Sequence, residues 1–263
     1  MDIAIITGAS SGLGREFLYQ ANKWINVDEV WVISRNEKDL KELELISSFK
    51  LRIIPLDLSK EFSLKKLKEL IDSKKPNIKL LINSAGYGKM GEEEKIDLED
   101  DLGMINLNDK ALVAITRYSL PYMKEKSTII QIASRAAYQP LPYMATYAAS
   151  KAFVLRYSEA LAVELKPRKI RVLAVTPSYV KTKWIDRANS KENDKLNHFG
   201  KFFEAKDVVK KAYHDAYKTN KLISALGFRV RFTRFLMRFV PDKLAMKIYL
   251  SLSAKKNKKG SLN

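Results

Sequence analysis

Residues 2–14 read Asp2-Ile3-Ala4-Ile5-Ile6-Thr7-Gly8-Ala9-Ser10-Ser11-Gly12-Leu13-Gly14, and a stretch of helical character, Arg15–Trp24, follows. A short run of Ile and Ala gives way to three glycines and then to a longer amphipathic segment. That is the pattern of a strand feeding a helix through a turn with few side chains. Such a turn lets backbone N–H groups come close to a ligand. The start of the helix adds a partial positive charge, so a pyrophosphate is the natural guest. The candidate cradle is Gly8, Ser10, Ser11, Gly12, Leu13 and Gly14. Its G-x-x-x-G-x-G spacing differs from the commoner G-x-G-x-x-G fingerprint. A glycine turn used only for packing has the same composition; the strand–turn–helix context favours the ligand.

About 20 residues past Gly14, the second strand candidate ends in Ser34-Arg35, where an acidic residue would hold a ribose 2′-hydroxyl. Ser34 cannot act as that acid, and Arg35 is a planar cation suited to a 2′-phosphate. The expected cofactor is therefore NADP(H) rather than NAD(H).

Further along, apolar runs of strand length alternate with helical segments. The strand candidates are Asp2–Thr7, Glu29–Ser34, Arg52–Leu56, Leu80–Asn83, Thr128–Ala133 and Val172–Thr176. They are rich in Ile, Val and Leu without clear polar alternation, as expected when both faces are covered. The intervening helical segments are Glu37–Ser47, Ser63–Ser73, Asp97–Tyr118 and Tyr147–Leu165. The order predicts an α/β fold, a single-domain Rossmann-type doubly wound parallel sheet with right-handed crossovers. We expect one dinucleotide-binding and catalytic domain over residues 1–225 and a short helical C-terminal extension over 226–263.

Composition narrows the chemistry. The 263 residues contain no cysteine and only two histidines, His198 and His214. Thiol catalysis and Cys-type zinc sites are excluded, and no metal site is expected. The longest uncharged stretch, Ala136–Ser150, contains Pro140 and Pro142 and is no membrane span. No secretory signal precedes the first strand, so a cytoplasmic enzyme is the expectation.

Tyr147-Ala148-Ala149-Ser150-Lys151 places a phenol and an ammonium four residues apart, neighbours on one helical face. A nearby ammonium favours phenolate and would lower the tyrosine from its usual value near 10. Such a tyrosine can exchange a proton with a substrate oxygen. By itself the pair is a weak signal.

Five motifs in the right order make the difference: Thr7-Gly8-x-x-x-Gly12-x-Gly14, Asn83-Ser84-Ala85-Gly86, Asn106, Ser134 and Tyr147-x-x-x-Lys151. Over residues 1 to about 182 the chain resembles the classical short-chain dehydrogenase/reductase family. The resemblance implies one Rossmann domain and hydride transfer between nicotinamide and a carbonyl/alcohol pair. It implies that Tyr147 is the acid/base, that Lys151 lowers its pKa and holds the nicotinamide ribose, and that Ser134 hydrogen-bonds the substrate oxygen. Asn106 would hold a water linking Lys151 to solvent. Asn83, Ala85 and Gly86 would support the central strand and border the cofactor. Asp57, followed by Leu58, would meet the adenine amino group, and Pro177 and Thr182 would lie near the carboxamide. Two departures stand out. Ser84 replaces an asparagine common in the family, and Ser178 follows Pro177 where a glycine is usual.

The segment 183–205 occupies the place of a substrate lid and mixes Trp184, Ile185, Phe199, Phe202 and Phe203 with charges. This suits a lipophilic ketone or aldehyde, although the same aromatics could serve only to pack the segment down. The net charge is +18, and residues 226–263 hold ten Lys/Arg against one acid, Asp242. There Phe228, Phe232, Phe235, Leu236, Phe239 and Val240 recur at helical spacing between arginines. The pattern fits a helix that docks its aromatic face beside the pocket or on a partner subunit. It also fits a helix lying on an anionic membrane surface. No nucleic-acid reader motif is present. The resemblance further implies a homodimer or homotetramer paired through the two long helices. A cofactor-binding scaffold without turnover is the competing functional class.

Overall fold

β-Branched and leucine-rich segments set the architecture, because each strand carries apolar side chains on both faces and both must be covered. In the computed structural model, residues 1–182 and 202–260 are described, the last eight of them without their side chains. Seven strands form one sheet in the order β3-β2-β1-β4-β5-β6-β7. They are β1 Asp2–Thr7, β2 Glu29–Ser34, β3 Leu51–Pro55, β4 Asn77–Asn83, β5 Thr128–Ile132, β6 Arg171–Val175 and β7 Ile223–Ser224. Every pairing is parallel.

The helices are α1 Gly12–Ala21, α2 Glu37–Lys41, α3 Glu61–Lys74, α4 Leu98–Met104, α5 Ala111–Ser119, α6 Ala145–Glu164, α7 Ala205–Lys218, α8 Phe228–Leu236 and α9 Asp242–Gly260. The two layers follow from alternation within the strands. Ala4 and Ile6 of β1 face Phe17 and Leu18 of α1 and Val209 and Tyr213 of α7. Ile3 and Ile5 face the other way, onto Leu67 and Ile71 of α3, Ile115 of α5 and Leu161 of α6. Burying a side chain of this kind completely contributes about 1.5–3 kcal/mol. The doubly wound expectation is met.

Three details differ from the sequence-based expectation. β7 has only two residues, pairing Ile223 with Ala174 and Ser224 with Val175, too short to show as a periodic run. The helix expected over Asp97–Tyr118 is interrupted by a π-helical turn at Ile105–Lys110. The lid expected over 183–205 lies mostly outside the described residues. Its two flanks meet where Val180 bridges Phe203.

Sheet order reverses at β1, with β2 on one side and β4 on the other. In such a sheet the ligand crevice opens at the carboxyl ends of those strands. Thr7, the last residue of β1, ties the edges of this opening together: its Oγ1 accepts the backbone N–H groups of Ser84 at 3.0 Å and Ala85 at 3.1 Å.

Candidate active site

A crevice of about 1290 Å³ opens at that reversal. Its floor is the first turn, with Gly8, Ser10, Ser11, Gly12 and Leu13 on the wall. Two glycines there have clear physical reasons. Gly8 has φ +65°, and a Cβ on it would lie 2.8 Å from the Ala85 Cα. A Cβ on Gly14 would lie 2.2 Å from the Gly8 carbonyl oxygen. Gly14 is absent from the wall; it permits α1 to start tightly beneath the turn. Gly12, also at positive φ, lies under Thr182, whose Cγ2 would be 3.3 Å from an added Cβ. Thr182 thus packs over the glycine turn.

Ser34, Arg35, Asp57, Leu58, Ala85, Gly86, Asn106, Ser134, Tyr147, Lys151 and Pro177 also reach the crevice. Asp57 has a second task, since its Oδ1 accepts from the backbone N–H and the hydroxyl of Ser59 at 3.1 and 2.7 Å. Asn83 does not reach the wall. Its Nδ2 donates to Thr116 Oγ1 at 3.0 Å and Gln131 Oε1 at 2.9 Å. A buried amide at a strand end needs partners, and here they tie β4 to α5 and β5. Its side chain supports the central strands, as the resemblance implied, and does not line the crevice.

Two of the three reacting side chains are buried, and Ser134 is half-buried. Ser134 acts on the Tyr147 phenol, and Tyr147 is only 7% exposed and Lys151 6%. Burial pushes the Tyr147 phenol up to about 12, against a downward pull from Ser134. The expected lowering by Lys151 therefore fails in the protein alone. The ammonium donates to the Ile132 carbonyl at 3.0 Å and stands 5.9 Å from the phenol ring centroid. Desolvation outweighs that contact. Burial also pushes Lys151 down to about 8, with Asp109 acting in the opposite direction.

The sequence reading missed Asn108. Asn106 stands partly exposed on the wall, whereas Asn108 is fully buried. Its Oδ1 accepts the Tyr87 backbone N–H at 3.1 Å, and its Nδ2 donates to the Tyr87 carbonyl at 2.9 Å and to Ser150 Oγ at 3.0 Å. A Cβ on Gly86 would lie 2.8 Å from Asn108 Oδ1 and 3.3 Å from Lys151 Nζ. The same small residue therefore brings amide and ammonium together. π-Helical turns shift the facing of a helix and recur at functional sites; this one spans both asparagines. Asp109, next in line, has a buried Oδ1 with no hydrogen-bond partner among the described residues. Desolvation pushes its carboxyl up to about 7, with Lys151 pulling the other way.

The C-terminal helices close the far wall through Thr233 and Met237, and through Ala245, Ile248, Tyr249 and Leu252. The periodicity of the sequence points to the aromatic face for this task. The Phe rings instead point outward.

A glycine-turn crevice at the sheet reversal, lined by Ser134, Tyr147 and Lys151, is the arrangement of a dinucleotide-dependent class of protein, and comparison with known proteins makes the family definite. The short chain dehydrogenase family model matches residues 2–193, and the chain belongs to that family. It is 31% identical over 228 residues to a 3-ketodihydrosphingosine reductase of Bacteroides thetaiotaomicron, covering 85% of this chain and 81% of that one. It is 33% identical over 188 residues to VdlC, a probable short-chain type dehydrogenase/reductase of Helicobacter pylori, covering 69% and 66%. With a very-long-chain 3-oxoacyl-CoA reductase of Neurospora crassa it shares 34% identity over 191 residues, which is 68% of this chain and only 56% of that protein. A short-chain dehydrogenase of Sphingobium yanoikuyae, solved in complex with NADPH, superposes with a TM-score of 0.75 at 25% identity, covering 92% of this chain and 97% of the other.

Proposed function

We propose that the protein is an NADP(H)-dependent oxidoreductase interconverting carbonyl and alcohol groups of lipophilic ketones or aldehydes, with reduction the favoured direction. The observation that carries this is the gathering of Ser134, Tyr147 and Lys151 on one crevice wall, with Tyr147 and Lys151 buried one turn apart on the same helix.

The residues present fit the cofactor. The turn at Gly8–Leu13 and the start of α1 would hold the pyrophosphate. Arg35 is exposed at the crevice edge beside Ser34, whose Oγ is buried with no hydrogen-bond partner among the described residues. That hydroxyl and guanidinium form a donor set for a 2′-phosphate. Asp57 and Leu58 would border the adenine; Ala85, Gly86, Pro177 and Thr182 would border the ribose and nicotinamide. The relatives differ on this point: a Brucella melitensis 3-ketoacyl-(acyl-carrier-protein) reductase, 26% identical with a TM-score of 0.70, was solved with NADH.

When bound, the nicotinamide supplies or accepts the hydride. Tyr147 gives its proton to the developing alkoxide oxygen. Burial keeps the phenol protonated in the protein alone, the form that can give a proton in the reduction direction. Ser134 hydrogen-bonds the same oxygen and stabilises charge as it forms. Lys151 holds a positive charge near the phenol and binds ribose. We assign to Asn108 the supporting role that the resemblance gave to Asn106, because Asn108 shares the Gly86 contact with Lys151.

Support for a lipophilic substrate comes from Leu141, Met144, Met237, Ile248 and Leu252 on the wall and from the names of the sphingosine-type and very-long-chain relatives. Residues 1–225 would form the catalytic unit. Pairing of copies would use α4–α5 and α6, where Phe153 and Val163 are exposed.

The test is NADPH oxidation over a panel of hydrophobic ketones and aldehydes. Tyr147→Phe should lower turnover by about 10²–10⁴-fold and retain NADPH binding. Binding without turnover across the panel by the unaltered protein would favour the scaffold alternative.

A further inference from the structure

Helix α8 uses two faces for two purposes. On its inner side Val230 is buried, Thr233 and Met237 line the crevice, and Arg234 pairs with Glu159 of α6 at 3.2 Å. The outer side carries Phe228, Phe232 and Phe235, with Phe239 in the turn that follows. These rings are 71, 51, 59 and 72% exposed and associate with one another, Phe228 stacking on Phe232 at 6.0 Å and Phe235 meeting Phe239 edge-on at 5.3 Å. Spacings of four, three and four residues keep them on one helical stripe. Arg229, Arg231 and Arg238 are exposed between and beside them, and Lys243 and Lys247 continue the charge along α9. Leu244, Ile248 and Leu252 of α9 are exposed as well. Ile248 and Leu252 also line the crevice, so the apolar stripe is continuous with the pocket mouth.

A large exposed apolar patch marks a surface for contact, and the charge selects the partner. The segment 226–263 carries ten Lys/Arg and one acid. A second copy would bring an equal positive charge against it, whereas an anionic bilayer complements it. No helix among the described residues is long and apolar enough to cross a membrane, which leaves contact from the side.

We propose that α8 and α9 dock the protein on the surface of an anionic lipid bilayer. The phenylalanines enter the headgroup–acyl boundary, the arginines and lysines meet lipid phosphates, and the crevice mouth opens against the bilayer. Apolar insertion and attraction to anionic lipid together supply the binding. Docking stands whether or not the redox assignment is right. Delivery of a lipophilic substrate directly from the bilayer rests on that assignment.

The experiment is co-sedimentation of the full chain with vesicles of phosphatidylcholine alone and of phosphatidylcholine with phosphatidylglycerol. The expected result is sedimentation with the anionic vesicles only, weakened by salt. Replacing Phe228, Phe232, Phe235 and Phe239 together by Ser should reduce partitioning about tenfold or more, and so should Arg229→Glu with Arg231→Glu and Arg238→Glu. None of these residues lines the crevice, so NADPH binding and the thermal midpoint should remain those of the unaltered protein and serve as folding controls. Absence of sedimentation with anionic vesicles at low salt overturns the proposal. So does binding that the Phe→Ser variant retains, since the aromatic stripe would then not be the anchor. A homo-oligomer that the Phe→Ser variant dissociates, without vesicle binding, also overturns it and assigns the stripe to a second copy. None of these readouts uses turnover, so failure of the redox reading would be seen separately.

Discussion

Replacing Asn108 by alanine asks which asparagine of the interrupted helix serves the site. The change removes the 3.1 Å bond from the Tyr87 N–H, the 2.9 Å bond to its carbonyl and the 3.0 Å bond to Ser150. Each contributes roughly 0.5–1.5 kcal/mol net, and partners left unpaired cost more, because Asn108 is fully buried. The expected loss is about 2–4 kcal/mol, seen as a lower urea midpoint at unchanged slope. The amide also fixes the loop beside Gly86, whose added Cβ would lie 3.3 Å from the Lys151 ammonium. A small displacement there should lower kcat on the order of 10²-fold, with less effect on NADPH binding. Asn106→Ala, at a partly exposed position on the crevice wall, should change stability by no more than about 0.5 kcal/mol. Equal losses of stability and turnover in the two variants would refute the assignment to Asn108.

Three further outcomes are expected. Arg35→Ala should raise the KM for NADPH about 10–100-fold and leave that for NADH nearly unchanged, because only the former carries a 2′-phosphate; steady-state kinetics with both cofactors checks it. Asp109→Asn removes the charge that opposes the lowering of Lys151, so the lysine should lose its proton at lower pH. The alkaline fall of kcat/KM for reduction, expected near the Lys151 value of about 8, should then move to lower pH; a fixed or upward-moving limb contradicts the coupling. Gly14→Ala places a Cβ 2.2 Å from the Gly8 carbonyl oxygen, and should cost about 1–3 kcal/mol and abolish NADPH binding, measured by thermal melting and fluorescence titration.

Several site residues were legible because local chemistry announces them. Ser34 and Arg35 could be placed from the end of β2, and Ser134 and Tyr147 from motif order, and all four reach the same crevice. Asn83 looked equally well placed. Its side chain turns instead to Thr116 and Gln131, partners 33 and 48 residues away, and no local pattern signals such a choice.

What the amino-acid order determined alone was the alternation of strands and helices, the glycine turn and the covering of both sheet faces. These follow from side-chain period and backbone freedom, which are local properties. Tertiary structure decided the rest. Asn108, within the π-helical turn, shares the Gly86 contact with Lys151, and burial raised Tyr147 where a pairwise view of Tyr and Lys predicted lowering. On α8 the fold buries Val230 and leaves the Phe stripe exposed. Each of these depends on which groups are removed from water by distant parts of the chain, and desolvation is a property of the assembled fold.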